Sequence, residues 1–203
     1  MSAANLFAQA NEIAVFVNRS SFSSTTETDP ALGATFKLKF DSRAGYGISV
    51  DHFFSPNLSL QLLAQTVRAN SKVEVTALGT SFSENAGTLD LNEYDAALHW
   101  YFERRSAFRP YVGAGVARIQ GGKIKIPADL TDSGTAPETI SLDDKMTWVA
   151  DAGVDVSISP KASITFTAKY TPYKTSVGAD PVDPVQKLKL DPLTLAAGLR
   201  WRF

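Results

Sequence analysis

The chain has 203 residues, 44% of them apolar, a formal net charge of -1 and no cysteine. That length allows one domain or two small ones, and that apolar share supports a folded core. The near-zero charge argues against a nucleic-acid partner, and the missing cysteines exclude disulfide frameworks, thiolate metal sites and cysteine nucleophiles.

Ala8, Gln9 and Ala10 have the small-x-small form of a signal-peptide cleavage site. Residues 1–11 are therefore expected to be a tail or a signal-peptide remnant, and residues 12–203 the folded domain. Residues 12–22, with Ile13, Val15, Phe16 and Val17, have strand character, and the polar stretch 23–33 reads as a loop. Residues 34–54 form a long strand: Phe36, Leu38 and Phe40 alternate with lysines, and Tyr46, Ile48 and Val50 continue after a polar interruption. Ser55, Pro56 and Asn57 make a tight turn into Leu58, Leu60 and Leu62, which completes a hairpin. A long polar region follows at 71–87.

Residues 89–102 are the next strand, with Tyr94, Ala96, Leu98, Trp100 and Phe102 on one face. A short charged turn at 103–106 leads into a strand over 109–120. A long loop at 121–145 precedes the cleanest alternation in the chain, residues 146–158, with Met146, Trp148, Ala150, Ala152, Val154, Val156 and Ile158 on one side. Ser159, Pro160 and Lys161 repeat the earlier turn chemistry. Ile164, Phe166, Ala168 and Tyr170 form the seventh strand, and residues 175–186 the last long loop. The eighth strand carries Leu193, Leu195, Ala197, Leu199, Trp201 and Phe203 on its apolar face.

Eight strands with alternately long and short connections, no helix, and an aromatic on the apolar face of the final strand predict one architecture. It is an all-β, eight-stranded antiparallel transmembrane β-barrel with short periplasmic turns and long extracellular loops. The competing reading is a soluble sandwich or lipocalin-like barrel. No run approaches the roughly 18 apolar residues of a membrane helix, but barrel strands alternate, so a mean hydropathy of -0.08 fits either case.

Strand parity places Asp51, Glu93, Asp95, His99, Asp151, Asp155, Lys169, Arg200 and Arg202 on polar faces. Eight strands enclose room for side chains and no open channel. Opposite charges crowded there should pair, since a lone buried charge is costly. Glu93, Asp95, Asp151, Asp155, Lys169, Arg200 and Arg202 are therefore the candidate ion-pair plug of the lumen.

Enzyme chemistry finds little support. Asp95 and His99 are about 13 Å apart on an extended strand, and no activated serine can be assigned. Gly113-x-Gly115 is followed by Arg118 where a dinucleotide motif needs glycine. Asp143 with Asp144, or Glu27 with Asp29, are pairs of loop carboxylates that solvent ordinarily satisfies. No cofactor and no metal site is expected.

The run from Arg109 through Pro110, Tyr111, Val112, Gly113, Ala114 and Gly115 to Val116 carries a resemblance, as do the hairpin around Phe53, Phe54, Ser55, Pro56, Asn57 and Leu58 and the terminal stretch from Asp191, Pro192 and Leu193 to Phe203. Together they resemble the OmpW/AlkL family of outer-membrane proteins, from about Phe36 onward. The resemblance implies a bacterial outer-membrane location and passive uptake of small hydrophobic molecules. Solute would enter an apolar pocket near the outer loops and leave sideways into the bilayer through a gap in the wall. The candidate pocket residues are Phe36, Leu38, Phe40, Leu89, Leu91, Leu188 and Leu190; Ile124 and Ile126 lie at similar strand ends. The bland reading is that these face lipid or pack the loops together. Pro181, Pro184 and Pro192 lack a ladder donor and are the candidates for the lateral gap. Expected partners are outer-membrane lipid, small hydrophobic solutes and the barrel-assembly machinery, the last through Phe203. The alternative is a structural or surface-interaction barrel of the OmpX or OmpA kind, without transport.

Overall fold

A computed structural model describes residues 11–29, 34–77, 80–103, 106–126, 138–177 and 186–203. The strands are β1 (Asn11–Ser21), β2 (Thr25–Asp29), β3 (Ala34–Phe53), β4 (Leu58–Ala77), β5 (Thr80–Tyr101), β6 (Phe108–Gln120), β7 (Lys123–Ile126), β8 (Glu138–Ser141), β9 (Lys145–Ser157), β10 (Ala162–Tyr170), β11 (Lys174–Val177), β12 (Gln186–Lys189) and β13 (Leu193–Arg202). Among the described residues there is no helix.

Eight of these strands form a closed antiparallel barrel in the order β1, β13, β10, β9, β6, β5, β4, β3, and β3 pairs back onto β1. Closure joins the first and last staves: Asn11 N–H donates to the Phe203 carbonyl at 3.3 Å, and Phe203 N–H to the Asn11 carbonyl at 3.0 Å. The remaining strands lie beyond the staves. β2 pairs only with the upper part of β3, while β7 with β8 and β11 with β12 are separate hairpins. The expected tail at residues 1–10 lies outside the described residues, and β1 begins at Asn11.

The burial pattern is inverted relative to a water-soluble domain. Trp148, Leu195 and Leu199 are 54%, 61% and 41% exposed, whereas Asp51 and Arg200 are 0% and 2% exposed. A band of Val, Ile, Leu and aromatic side chains surrounds the barrel, with Phe54, Trp100, Phe102, Phe108, Trp201 and Phe203 at the short-turn end and Tyr46, Tyr94 and Trp148 at the other. Water would penalise so large an apolar surface; a bilayer accepts it where the antiparallel ladder closes on itself. Arg19, Arg68 and Arg118 cap the band on the long-loop side.

Serine hydroxyls organise the short turns. Ser55 Oγ accepts from Asn57 N–H at 3.3 Å and Leu58 N–H at 3.1 Å, and Ser159 Oγ repeats this with Lys161 and Ala162 at 3.3 and 3.0 Å. Asn57 then anchors its turn to the next stave through a 2.6 Å bond to the Tyr101 carbonyl. Such local acceptors satisfy amides that the ladder cannot reach.

The outer connections differ from the expected loops. The region 71–87 is mostly strand: β4 and β5 run on as one hairpin, with a register shift between Ser71 and Lys72. Both of its faces are wet, so apolar alternation stops while the backbone ladder continues. Cross-strand polar pairs support it, Lys72 with Asp41 at 2.7 Å and Thr76 with Ser81 at 2.9 Å. Region 23–33 contains β2, and the loops at 121–145 and 175–186 carry parts of the β7–β8 and β11–β12 hairpins.

Candidate functional site

The lumen is built in tiers. At the short-turn end three arginines and three carboxylates interlock. Arg200 Nη1 lies 2.6 Å from Asp51 Oδ2 and its Nε 3.4 Å from Asp155 Oδ1. Arg109 reaches Glu12 at 3.0 Å, Asp155 at 3.3 Å and the Ser163 hydroxyl at 3.0 Å. Arg202 adds a contact to Glu12 at 2.9 Å. Above them His99 bridges two carboxylates, Asp51 at 3.5 Å and Asp151 at 3.1 Å, and stacks on Tyr111 with centroids 4.9 Å apart. A Cβ at Gly113 would overlap both His99 and Asp151, so Gly113 makes room for these lumen side chains, whereas Gly115 lets its strand lie close against the Ala96–Ala97 backbone.

In the next tier Lys169 sits between Asp95 at 2.5 Å and Glu93 at 3.1 Å. Glu93 also accepts from Gln65 at 2.6 Å and Thr171 at 2.7 Å, and Gln65 accepts from Asn18 at 3.0 Å. These charges have been withdrawn from water, which costs several kcal/mol per ion; mutual pairing offsets that cost, although Asp95 Oδ1, Asp151 Oδ1 and Asp155 Oδ1 accept no hydrogen bond among the described residues. A cavity of about 20 Å³ beside Gln61, Gln65, Lys169 and Arg200 holds about one water, too little for a channel.

All seven candidate plug residues thus lie in these tiers: Glu93, Asp95 and Lys169 together, Asp151 on His99, and Asp155, Arg200 and Arg202 in the lowest tier. Glu12 and Arg109 join them without having been foreseen. Glu12 lies at the start of β1, a strand whose sequence alternates poorly. Arg109 opens the strand predicted over 109–120, and its odd parity with Tyr111, Gly113 and Gly115 is a usable signal. Among the described residues no group of three His, Cys, Asp or Glu side chains is placed to hold a metal.

Above the charges the lumen becomes apolar. Val67, Ala69, Leu89, Leu91, Ile119, Leu142, Tyr173 and Leu190 form one buried cluster, with Phe22, Leu38 and Phe40 packed against it. The structure therefore brings together Leu38, Phe40, Leu89, Leu91 and Leu190 on the inner side. The side chains of Phe36, Leu188, Ile124 and Ile126 lie outside the described residues. Leu190 is held by an unusual backbone: the next residue, Asp191, has φ of 37°, and its carboxylate accepts the Tyr173 N–H at 3.1 Å while Leu190 N–H donates to the Tyr173 carbonyl at 2.8 Å.

The wall beside this cluster is discontinuous. The β1–β3 ladder ends at Arg19 opposite Ala44, and the β2–β3 ladder starts at Thr25 opposite Leu38. Residues 39–43 of β3 have no strand partner on that side. The chain between β1 and β2 leans the other way, Ser23 N–H donating to the Leu190 carbonyl at 2.9 Å. Phe22 and Phe40, with centroids 5.6 Å apart, fill the break. Of the three candidate gap prolines, the structure describes Pro192 alone. Pro181 and Pro184 are outside the described residues. Pro192 is buried at the foot of β13, its carbonyl accepting from Thr171 N–H at 3.2 Å, on a seam where β10 and β13 pair along their length.

A model described as the OmpW family matches residues 2–203. Outer membrane protein W of Vibrio cholerae is 25% identical over 191 residues, covering 89% of this chain and 84% of that protein. An outer-membrane protein of Sinorhizobium fredii is 26% identical over 159 residues, 77% of this chain; the match spans 64% of that protein's length. Among solved structures, OprG of Pseudomonas aeruginosa superposes with a TM-score of 0.73 at 18% identity, covering 97% of this chain and 96% of OprG. The outer membrane protein AlkL gives 0.62 at 20% identity, covering 100% and 93%. At those identities the likeness to the two structures is one of fold.

Proposed function

Because the chain belongs to the OmpW family of outer-membrane β-barrels, we propose that it carries small hydrophobic molecules passively across the outer membrane and releases them sideways into the bilayer. The observation that supports this most is the placement of the wall break beside the apolar cluster and above the ion pairs. A hydrophobic solute gains by contact with Leu38, Phe40, Leu89 and Leu190, roughly 25 cal/mol for each Å² it removes from water. Downward movement would meet Lys169, Glu93 and Asp95, which a solute without hydrogen-bonding groups cannot replace. The lower-cost route is sideways, past Phe22 and Phe40 at the unpaired residues 39–43, a route that opens at the headgroup level marked by Arg19 and Arg43, at the upper edge of the apolar band. Pro192, on the paired β10–β13 seam, then takes no part in the exit. Transport of this kind needs no catalytic group. Phe203, exposed beside Asn11, is the proposed contact for the assembly machinery.

The test compares uptake of a medium-chain alkane by cells with and without the protein. Faster uptake with the protein supports the reading, and equal uptake removes it. One observation favours a structural or surface-interaction barrel instead: β4 and β5, at 20 and 22 residues, are about twice the length a bilayer requires. Equal uptake combined with retained adhesion to surfaces would select that second reading.

A further inference from the structure

The outer surface carries a feature that the uptake reading does not use. Below the long loops, on the lipid-facing side of β1, β3, β4 and β5, lies a groove of about 470 Å³ bordered by Val15, Tyr46, Ile48, Ala64, Thr66 and Tyr94. Its cause is local. Between Arg43 and Gly47 β3 slips register against β4, and the ladder there is completed by a side chain. Tyr46 N–H donates to Thr66 Oγ1 at 3.2 Å, and the Thr66 hydroxyl donates to the Tyr46 carbonyl at 3.4 Å. The bulge raises Tyr46 from the wall and leaves a trough beside it.

At the loop-side rim of the trough stand three arginines on neighbouring staves. Arg19 pairs in register with Ala44, and Arg43 pairs in register with Arg68. Arg68 lies over the Tyr46 ring at 5.4 Å. Acids nearby are few: Asp90 is 3.5 Å from Arg68 Nε, and Asp41 is taken by Lys72. Arg68 Nε is buried without a hydrogen-bond partner, and Arg19 and Arg43 have no acidic partner among the described residues. Arg118, on β6, is by contrast paired with Asp144 at 3.0 Å. Two like charges in register repel, so the Arg43–Arg68 pair itself calls for an anion.

We propose that this rim and trough bind a phosphorylated glycolipid of the outer leaflet. A phosphate would lie between Arg43 and Arg68 with Arg19 beside it, and one acyl chain would lie in the trough against Tyr46, Ile48 and Ala64. Guanidinium groups hold phosphate through paired, charge-assisted hydrogen bonds, and the aromatic beneath Arg68 fixes its plane. The choice of leaflet follows from position: the site is on the long-loop side of the apolar band, where outer-leaflet headgroups lie. The proposal is independent of transport.

The test titrates the folded, detergent-solubilised barrel with bis-phosphorylated lipid A, with the same lipid after phosphate removal, and with phosphatidylglycerol. Retained lipid is counted by native mass spectrometry, and folding is verified by heat-modifiable gel mobility. The expected result is retention of phosphorylated lipid A at about ten-fold lower concentration than of the dephosphorylated form, the scale of one or two charge-assisted bonds. Arg43→Gln with Arg68→Gln should abolish that preference, and Arg118→Gln should leave it intact. Ala64→Trp, which fills the trough from the lipid side, should weaken both forms of lipid A alike. Equal retention of the two forms, or a preference that survives the double glutamine variant, would overturn the proposal. Phosphatidylglycerol bound as tightly as lipid A would overturn the assignment to a glycolipid.

Discussion

Arg200 donates to Asp51 at 2.6 Å although 149 positions separate the two residues, and both are withdrawn from solvent at the centre of the barrel. The contact ties the closing stave to β3, which β13 does not touch in the ladder. Arg200→Met would leave Asp51 with only His99 at 3.5 Å and Gln61 at 3.2 Å, and would weaken the restraint on Asp155. A loss of about 3–5 kcal/mol is expected, the usual effect of removing one partner from a buried pair. Arg200→Met with Asp51→Leu should recover part of it, because Glu12 and Asp155 keep Arg109. Equilibrium unfolding in urea with phospholipid vesicles measures both, and an undiminished midpoint for the single variant would refute the pairing.

The opposite face responds by the opposite rule. Leu98 is 53% exposed and lies midway along the apolar column of β5. Leu98→Arg should cost roughly 2–4 kcal/mol in a bilayer, as expected for a cation near its midplane. The same unfolding assay reads it. A water-facing position would tolerate the change with little effect.

The aromatic pair at the wall break gives a third outcome. Phe22→Ala with Phe40→Ala should leave the ladder intact, since neither residue belongs to the paired part of β1–β3, and should raise alkane uptake over the unaltered protein. Phe40→Asn should lower it by placing an amide in the proposed route. Uptake unchanged in both would move the exit elsewhere.

Asp144 supplies a pH response outside the bilayer. The Arg118 guanidinium at 3.0 Å, with the Gly121 amide at 2.9 Å, holds its carboxyl below the ordinary value of 3.8. A lowered carboxyl means that the contact is fully present above 3.8 and is lost as pH falls through the depressed value. The Gly121 amide resonance should therefore titrate only in strong acid, and Asp144→Asn should move it at neutral pH. A midpoint at or above 3.8 would show that the contact does not form.

How much of this is legible from sequence depends on which phase each stave faces. Residues 146–158 alternate without a break because one side meets lipid and the other meets Asp151 and Asp155, and such a stave can be read by parity alone. The plug follows from the same parity. Leu38 and Phe40 are even-numbered and point inward, whereas Ser49 and Asp51 are odd-numbered and also point inward; the slip near Tyr46 changes the phase, and no composition rule announces it. The distal halves of β4 and β5 escape notice because both faces are wet and no alternation remains to be seen. The wall break is invisible for a related reason: it is a property of two ladders that stop, and unpaired backbone has no residue signature.

The reciprocal bonds between Asn11 and Phe203 have a consequence for biogenesis. Every intermediate of the sheet has two bare edges, and only the pairing of the first stave with the last removes both at once. An arc of seven staves is therefore not a smaller version of the protein but a template for aggregation. A chain lacking residues 193–203 should be recovered as insoluble material and not as a weakened barrel.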